Sequence, residues 1–410
     1  MFKEKLTAIK QELASYSSGE RMFIFSAMLC GFFICAQYAI VRPVSNSLFI
    51  GAYGADFFPY AWLATLPLNL VLVALYNRFL PRLGCFKMFL ALMGLVATSN
   101  LFSAFFLDQI RVLPFVFYIW KEVYVMLLFQ QLWSVIHSTM TTSRAKYLYG
   151  ILFAVGGVGG TLGSMIPGFL AVQVGSEQLL LFSLPICLLM IFAYHTLLKH
   201  GSHPEVQPAK KPSFSEGFQL IARSRFLTFI LLIVVLMQIS STLVEYQFNT
   251  ILEQTVPGKD LRTEYTGRIL VLVNFITTGF QLFGTFLLVH FLGLRWSHFA
   301  VPFTLCLNAI AFLVFPAFGV ATFSYVSIKI FDFSIFNVIK EMLYIPLKVE
   351  EKFQAKAVID VFAYRSAKAL ASILIALIPF TFLAWGGVVL FLLWVLVISG
   401  LFKEHQRLTT

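Results

Sequence analysis

Ionisable side chains recur inside long apolar stretches of this sequence, where burying a charge is costly. A charge at the centre of a lipid bilayer costs about 2.5 to 3.5 kcal/mol on insertion scales, so each one calls for a functional explanation. Such groups can bind an oppositely charged ligand, carry a proton or pair with one another. They are Arg42, Lys121, Glu122, Glu245, Lys329, Asp332, Lys340, Glu341, Asp360, Arg365 and Lys368.

Helical spacing predicts that several of these charges share a helix face with uncharged polar residues. Three such faces should line a wet central cavity. Arg42 and Glu245 lie at a similar depth on two of the faces, which makes them candidates for a charge pair. The faces consist of Tyr38, Arg42, Ser45 and Asn46; Gln238, Ser241, Thr242, Glu245 and Asn249; and Asn274, Thr277, Thr278 and Gln281.

The excess of cations in this set favours an anionic ligand. Lys340, Arg365 and Lys368 are not matched by an equal number of acids nearby. Lysine and arginine supply the charge-assisted hydrogen bonds that an anion needs in a low-dielectric cavity. The predicted substrate-binding residues are Arg42, Ser45, Asn46, Lys121, Glu245, Asn249, Asn274, Lys340, Arg365 and Lys368.

Four carboxylates are predicted to act in gating or in proton coupling. Glu122 and Asp332 occupy equivalent positions 210 residues apart, and Glu341 and Asp360 complete the set. A structural role is the alternative for each of them. Lys329 and Asp332, for example, have the i,i+3 spacing of an intrahelical ion pair.

These charges stand in a chain that needs lipid as its solvent. Hydrophobic residues make up 59% of the 410 residues and charged residues only 12%, with a mean hydropathy of +0.85. Only helices or closed barrels satisfy their backbone amides inside a bilayer, and apolar runs of about 20 residues without alternation indicate helices. The sequence therefore predicts an all-α polytopic membrane protein with twelve spans, near residues 22–50, 58–79, 86–107, 113–139, 147–172, 178–198, 226–254, 266–291, 296–315, 319–345, 357–379 and 381–402.

Basic residues are concentrated in alternate loops between these spans. By the positive-inside rule, this pattern predicts that both termini are cytoplasmic. It also explains the net charge of +11 without nucleic-acid binding. The five cysteines lack metal-ligand spacing, so no metal site, disulfide or cofactor is predicted.

A polar segment at residues 200–225 divides the spans into two groups of six. Leu83-Gly84 recurs as Leu292-Gly293, and Ala145-Lys146 recurs as Ala355-Lys356, at offsets of 209 and 210 residues. Two parallel six-helix halves are the arrangement of the major facilitator superfamily, whose substrate site lies between the halves near the midplane. The predicted segments are an N-terminal cytoplasmic segment at 1–21, a half at 22–199, the linker at 200–225, a half at 226–402 and a cytoplasmic tail at 403–410.

The fifth span is rich in glycine. Its spacing of small residues, at 156/160 and 159/163, predicts close packing against another helix rather than contact with substrate. In a protein with moving halves, such a seam is also a place where helices can slide.

Two segments of the second half carry a recognisable pattern. They are FNVIKEMLYIPL at 336–347 and KAVIDV at 356–361, followed by Arg365 and Lys368. Val41-Arg42, Glu122, SRAK at 143–146 and LVE at 243–245 extend the pattern to both halves. This set resembles the ATP/ADP translocase (nucleotide transporter) family of obligate intracellular bacteria and plastids. The resemblance implies a major-facilitator-like fold in a bacterial inner membrane, and exchange of ATP for ADP or nucleotide import with protons.

Three positions depart from that family's pattern. Ser45-Asn46 stand where the family usually has Lys-Asp, and Asn249 stands where it has Lys, so two phosphate-neutralising cations are absent. We predict a secondary active transporter that exchanges or imports a nucleotide or related anionic metabolite by alternating access. One alternative keeps the fold but carries a less charged, non-nucleotide solute, with or without proton coupling. The other is a membrane scaffold or intramembrane enzyme, although the sequence holds no nucleophile elbow or P-loop.

Overall fold

The computed structural model describes residues 16–140, 142–201, 214–344, 347, 355–356, 358–359 and 363–409. These residues form helices and no strands, as the apolar runs predict. Short 3-10 turns occur at Ala55–Phe57, Gln178–Phe182 and Phe380–Phe382, and π-helical segments at Phe280–Gly284 and Asp332–Phe336. The helices are α1 Ser18–Tyr53, α2 Phe58–Phe106, α3 Leu113–Thr139, α4 Thr142–Val174, α5 Ser183–His200, α6 Phe214–Arg223, α7 Arg225–Thr255, α8 Lys259–Gly279, α9 Thr285–Val314, α10 Phe318–Phe331, α11 Asn337–Leu343, α12 Tyr364–Leu377 and α13 Leu383–Thr409.

Within the described residues, nine helical stretches are long and apolar enough to cross a membrane. One of them, Ala55–Phe106, is 52 residues long and contains both the second and the third predicted spans. The eighth predicted span is interrupted by a π-helical segment, and the eleventh is only partly described. The predicted all-α, polytopic membrane architecture is confirmed.

Gly84 in α2 and Gly293 in α9 break their helices in the same way. The φ and ψ angles are 74° and 166° at Gly84, and 74° and 164° at Gly293. Glycine adopts a positive φ with extended ψ at little steric cost, whereas residues with a Cβ are strained there. The two glycines are 209 positions apart and each follows a leucine. The sequence repeat is therefore also a repeat of backbone conformation.

The described helices group into two compact units. Unit 1 contains residues from Met1–Ala52, Leu68–Gln207 and Gly258–Thr278, and unit 2 contains residues from Tyr53–Pro67, Pro208–Pro257 and Gly279–Thr410. Residues 53–67 thus pack with helices of the predicted second half, and residues 258–278 with helices of the predicted first half. The domain boundaries at 22–199 and 226–402 stay a prediction.

Each unit has its own apolar core. In unit 1, Val41, Phe117 and Ala171 belong to a buried cluster that joins α1, α3 and α4. In unit 2, Ile233 and Trp394 belong to a larger cluster that joins α7 and α13. Many large apolar side chains outside these cores remain exposed, as lipid-facing positions of membrane helices require.

Replacing Gly84 by alanine should destabilise the protein through backbone strain alone. A Cβ at Gly84 would meet no atom within 4 Å, so the cost is that of holding an L-residue at this φ, about 1 to 3 kcal/mol. Gly94→Ala, in the regular part of α2, also meets no atom within 4 Å and should keep or raise stability. Thermal unfolding in detergent measures both variants. Equal Tm values would contradict the strain argument.

Candidate functional site

A buried lysine organises the polar cluster of unit 1. Nζ of Lys121 lies 2.8 Å from Oδ1 of Asn46 and 3.0 Å from Oε1 of Glu122, and 4.2 Å from the centroid of the Tyr118 ring. Tyr38 donates a hydrogen bond of 3.1 Å to the same glutamate oxygen. Because Lys121 is only 1% exposed, protein groups rather than water must compensate its charge.

This cluster joins α1 to α3 and brings together three residues predicted for the cavity, Asn46, Lys121 and Glu122. Ser45 is buried beside it, and its hydroxyl has no hydrogen-bond partner among the described residues. Arg42 is half-buried on the same helix. A ligand that used Lys121 would have to displace one of its present partners.

Unit 2 contains a comparable buried pair. Lys329 on α10 donates to Oε2 of Glu245 on α7 at 2.8 Å and to Oγ of Ser241 at 3.3 Å. Both charged side chains are less than a tenth exposed. Lys329 thus bonds to a facing helix, and the i,i+3 pair with Asp332 that its spacing allows is not formed. The facing helix offers the ammonium two acceptors at once, a carboxylate and a hydroxyl.

Asp332 is left without an ion pair in the part of the chain that the structure describes. It is 4% exposed, and among the described residues its carboxylate accepts hydrogen bonds only from Nε2 of Gln238, 3.5 Å from each oxygen. Lys329 and Lys340 act on it through space without direct contact. A buried carboxylate held this loosely is unusual, because desolvation penalises its charged form.

Asp332 also begins a π-helical segment, in which regular backbone hydrogen bonding is interrupted. Gln281 donates to the carbonyl of Phe333 at 2.9 Å, and Asn337 donates to the carbonyl of Asp332 at 2.8 Å. Gln281 itself belongs to another π-helical segment of unit 2, Phe280–Gly284. The irregular parts of the eighth and tenth predicted spans therefore meet through a side-chain bond. Such π-bulges are frequent at functional sites.

The predicted cations of the last helices lie in unit 2. The ammonium of Lys368 is 5.2 Å from the centroid of the Trp62 ring. Arg365 is half-buried and makes no hydrogen bond or ion pair with the described residues. Lys340 and Asn249 are buried. No carboxylate of the described residues pairs with Arg365, which distinguishes it from Lys121 and from Lys329.

Three other predicted residues and one predicted charge pair have different outcomes. Asn274 belongs to unit 1, where it donates to Oγ of Ser164 at 3.2 Å. Glu341 is exposed and pairs with Lys356 at 2.5 Å. Asp360 lies outside the described residues. The proposed Arg42 and Glu245 pair stays a prediction, because the two residues belong to different units.

The glycines of α4 form two seams. A Cβ at Gly159 or Gly163 would overlap the backbone of α1, and a Cβ at Gly160 or Gly168 would press on α8. Both seams lie within unit 1. The spacing of small residues thus predicted a close approach, but it did not show that two different helices approach from different sides.

A charged network at the start of α8 was not predicted. Lys259 forms ion pairs with Asp108 and Glu177, and Asp260 accepts hydrogen bonds from the backbone N–H and the hydroxyl of Ser176. These residues flank the apolar spans, where charges are ordinary and give no signal. Only the packing of this part of α8 within unit 1 brings them together.

Unit 2 has a similar unpredicted contact at the start of α2. The hydroxyl of Tyr246 donates to Oδ1 of Asp56 at 2.8 Å, and Oε2 of Glu253 accepts from the backbone N–H of Ala55 at 2.7 Å. Gly54, with φ of 83°, brings the chain into this contact. The second network therefore holds residues 53–67 in unit 2, and the network around Lys259 holds residues 258–278 in unit 1. Each segment thus packs with helices of the predicted half to which it does not belong.

Partial burial shifts the titration of the network around Lys259. Burial raises the pKa of Glu177, although the bond to Lys259 acts in the opposite direction. Burial also opposes the charge of Lys259, but its two carboxylate partners outweigh that effect and raise the pKa of the lysine. Glu177 therefore takes up its proton at a higher pH than a free glutamate does.

Comparison of the sequence with models of known protein families identifies the family of this chain. The model of the TLC ATP/ADP transporter family matches residues 186–331 and 317–402, which together make up more than half of the chain. The chain belongs to this family. Its members are transporters and not enzymes, so this TLC family member is a multi-pass membrane transporter. The family resemblance noted in the sequence is confirmed.

The curated relatives are distant but extensive matches. ADP,ATP carrier protein 1 of Rickettsia bellii is 24% identical over 342 residues, covering 71% of this chain and 68% of the relative. ADP,ATP carrier protein 3 of the same organism is 22% identical over 352 residues, covering 71% and 69%. This TLC family member is therefore a divergent one.

Solved transporter structures share the fold of this TLC family member. The POT family transporter PepTSo gives a TM-score of 0.67 at 11% identity, covering 96% of this chain and 99% of that chain. A nucleoside transporter gives 0.64 at 11% identity, covering 95% and 100%, and a bacterial homologue of the iron transporter ferroportin gives 0.63 at 15% identity, covering 94% and 99%. At these identities the likeness shows the fold alone. It confirms the predicted major-facilitator-like fold.

Removing the amine of Lys329 should destabilise the folded protein, because the buried Glu245 would lose this ion pair. Breaking a buried pair in this way costs about 3 to 5 kcal/mol. The double variant Lys329→Met with Glu245→Gln removes both charges and should recover most of the stability. Folded yield and Tm in detergent measure the effect. A double variant as unstable as Lys329→Met alone would show that the charge pair does not stabilise this contact.

Proposed function

We propose that this protein is a secondary active transporter that exchanges or imports a nucleotide, or a related anionic metabolite, by alternating access. The observation that carries the proposal is the family match, which extends over the helices holding the buried charges of unit 2. The curated relatives are named ADP,ATP carrier proteins. The names of these relatives support a nucleotide as the class of substrate, and the cations of this chain can bind an anion of that class.

Arg365 is the cation best placed to bind the anion. Lys121 and Lys329 are each bound to a carboxylate, whereas Arg365 makes no such bond among the described residues. Its guanidinium presents parallel donors that match the oxygens of a phosphate. The other residues proposed for substrate binding are Arg42, Ser45, Asn46, Asn249, Asn274, Lys340 and Lys368.

Asp332 is proposed to carry a coupling proton. Protonating Glu122 or Glu245 would break the ion pair of a buried lysine, which is costly. Asp332 has no ion pair to lose in the described part of the chain, and the side chain of Gln238 can accept a hydrogen bond from a protonated carboxyl as well as donate one. The charged groups that act on Asp332 are Lys329 and Lys340 on its own span and Glu245 on α7.

A less charged solute is the second candidate cargo. Ser45, Asn46 and Asn249 are buried and uncharged, and the amide oxygen of Asn46 is already bonded to Lys121. A site with fewer free cations suits a solute with fewer charges. This candidate requires the same fold and the same alternating access.

The proposed location is a bacterial inner membrane, with both termini in the cytoplasm. Bacterial relatives support the first part of this proposal. The concentration of lysine and arginine in alternate loops supports the second part.

Uptake into proteoliposomes tests the cargo, with Arg365→Ala as the decisive variant. We expect labelled ATP or ADP to enter vesicles loaded with unlabelled nucleotide. Arg365→Ala should lower this uptake by about 100-fold, because a charge-assisted bond to phosphate of about 3 kcal/mol is lost. Its folded yield should stay near that of the wild type, since Arg365 bonds to none of the described residues.

Arg82→Ala provides the control for that variant, because it removes an exposed arginine near the Gly84 kink. It should transport normally. Wild-type vesicles that take up no nucleotide, while a neutral solute enters, would exclude the first candidate and support the second. Loss of folded protein in Arg365→Ala would instead indicate a structural role for this arginine.

Asp332→Asn should remove the effect of a proton gradient on uptake. The amide keeps the shape of the carboxyl but cannot bind or release a proton near neutral pH. We expect an inward proton gradient to stimulate wild-type uptake several-fold and to leave the Asp332→Asn variant unchanged. Glu404→Gln, which removes a carboxylate of α13 outside the candidate site, is the control, and its uptake should still respond to the gradient. Stimulation that persists in Asp332→Asn would assign the proton to another group.

A further inference from the structure

An open groove lies where α7 begins and where the apolar part of α13 ends. Its volume is about 490 Å³, within the range of small-molecule sites. Its walls include Arg225 and Phe229 from α7, and Gly400, Lys403 and Arg407 from α13. None of these residues belongs to the candidate substrate site.

The groove carries an excess of positive charge. Arg225 and Lys403 are exposed and form no hydrogen bond or ion pair with the described residues. Arg407 pairs with Glu404 at 2.9 Å, and this glutamate is the acidic residue of the lining. The two cations without a carboxylate therefore remain available to an anionic ligand.

The charged and apolar walls are separated along the helix axes. Phe229 lies one turn further into α7 than Arg225, and Gly400 lies one turn before Lys403 on α13. A Cβ on Gly400 would come within 2.6 Å of the Phe229 ring, so this ring packs directly on the backbone of α13. The change from charged to apolar residues occurs at the same level on both helices, as at a membrane–water interface.

The preceding helix, α6, has the character of an interfacial helix. Ile221 is buried in the apolar core of unit 2, whereas Phe218 and Arg223 are exposed. A short amphipathic helix with an exposed aromatic ring and a basic end lies in the headgroup region of a membrane. Ala222 of this helix forms part of the groove wall, which places the groove at the same level.

We propose that this groove binds the headgroup of an anionic phospholipid. The phosphate lies between Arg225 and Lys403, and the glycerol and first acyl carbons lie against Phe229. Basic pockets between membrane helices on the cytoplasmic side bind lipids of this kind. A free phosphate or nucleotide would use the two cations but would leave the apolar wall unused.

Native mass spectrometry of the full chain in detergent tests this proposal. Phosphatidylglycerol and phosphatidylethanolamine with the same acyl chains are titrated separately, and the dissociation constant of the first bound lipid is measured. We expect the wild type to prefer phosphatidylglycerol. The double variant Arg225→Gln with Lys403→Gln should weaken phosphatidylglycerol binding about tenfold to thirtyfold, because each basic residue near the surface contributes about fivefold.

Arg82→Gln with Lys87→Gln is the matched control. These two residues are also exposed and also basic, but they lie beside the Gly84 kink. The control removes the same charge and therefore reports the general attraction to anionic lipid. Ala222→Phe is a second test variant, which keeps every charge but fills the groove, and it should also weaken phosphatidylglycerol binding.

A loss of affinity confined to the Arg225 and Lys403 variant and to Ala222→Phe would confirm the site. Equal losses in the two double variants would overturn the proposal, because the attraction would then be general. Unchanged binding by Ala222→Phe would place the lipid outside the groove and would overturn it as well. Competition by glycerol 3-phosphate at lipid-like concentrations would show that acyl chains are not needed, with the same consequence.

Discussion

A lysine buried among membrane helices must be accompanied by its counter-ion, and the rest of this structure depends on that constraint. Lys121 is bound to Glu122, and Lys329 is bound to Glu245. Each lysine also bonds to a neutral polar side chain on a neighbouring helix, Asn46 or Ser241. Since water is not available to replace these partners, the bonds fix how α1 lies on α3 and how α7 lies on α10. A movement of the protein must therefore keep each pair together or exchange one partner for a ligand.

Local rules predicted those features of the fold that depend on neighbouring residues. The Leu-Gly repeat predicted an equivalence that the matching backbone angles of Gly84 and Gly293 display. Helical spacing also placed Asn46 and Glu245 on inward faces, because a polar residue in lipid is costly. The partner of Lys329 could not be predicted in this way. Spacing along one helix identifies a possible i,i+3 acid, but it contains no information about an acid on a facing helix.

The same limit explains the unpredicted seams and networks. Glycine spacing on α4 indicates that some backbone comes close, yet Gly163 meets α1 and Gly168 meets α8. Which helix packs against each glycine is determined by the tertiary structure and not by the spacing of the glycines. Lys259 and Asp108 are ordinary residues at the ends of spans until α8 packs within unit 1 and brings them together. Charges at span ends are common, so their positions in the sequence give no reason to pair them.

Asp332 shows how the constraint on buried charge separates structural groups from groups that change state. A carboxylate that serves only to hold helices together is most stable with its cation beside it, as Glu122 and Glu245 are. Asp332 has Lys329 within i,i+3 reach, but that lysine bonds to the facing helix instead. The charged form of Asp332 is therefore poorly compensated, while its neutral form would need only the amide of Gln238. The irregular π-helical backbone that begins at Asp332 adds a second departure from regular packing at the same residue. A change of protonation during transport would relieve the first of these costs, and a π-bulge at the same residue is typical of a functional site.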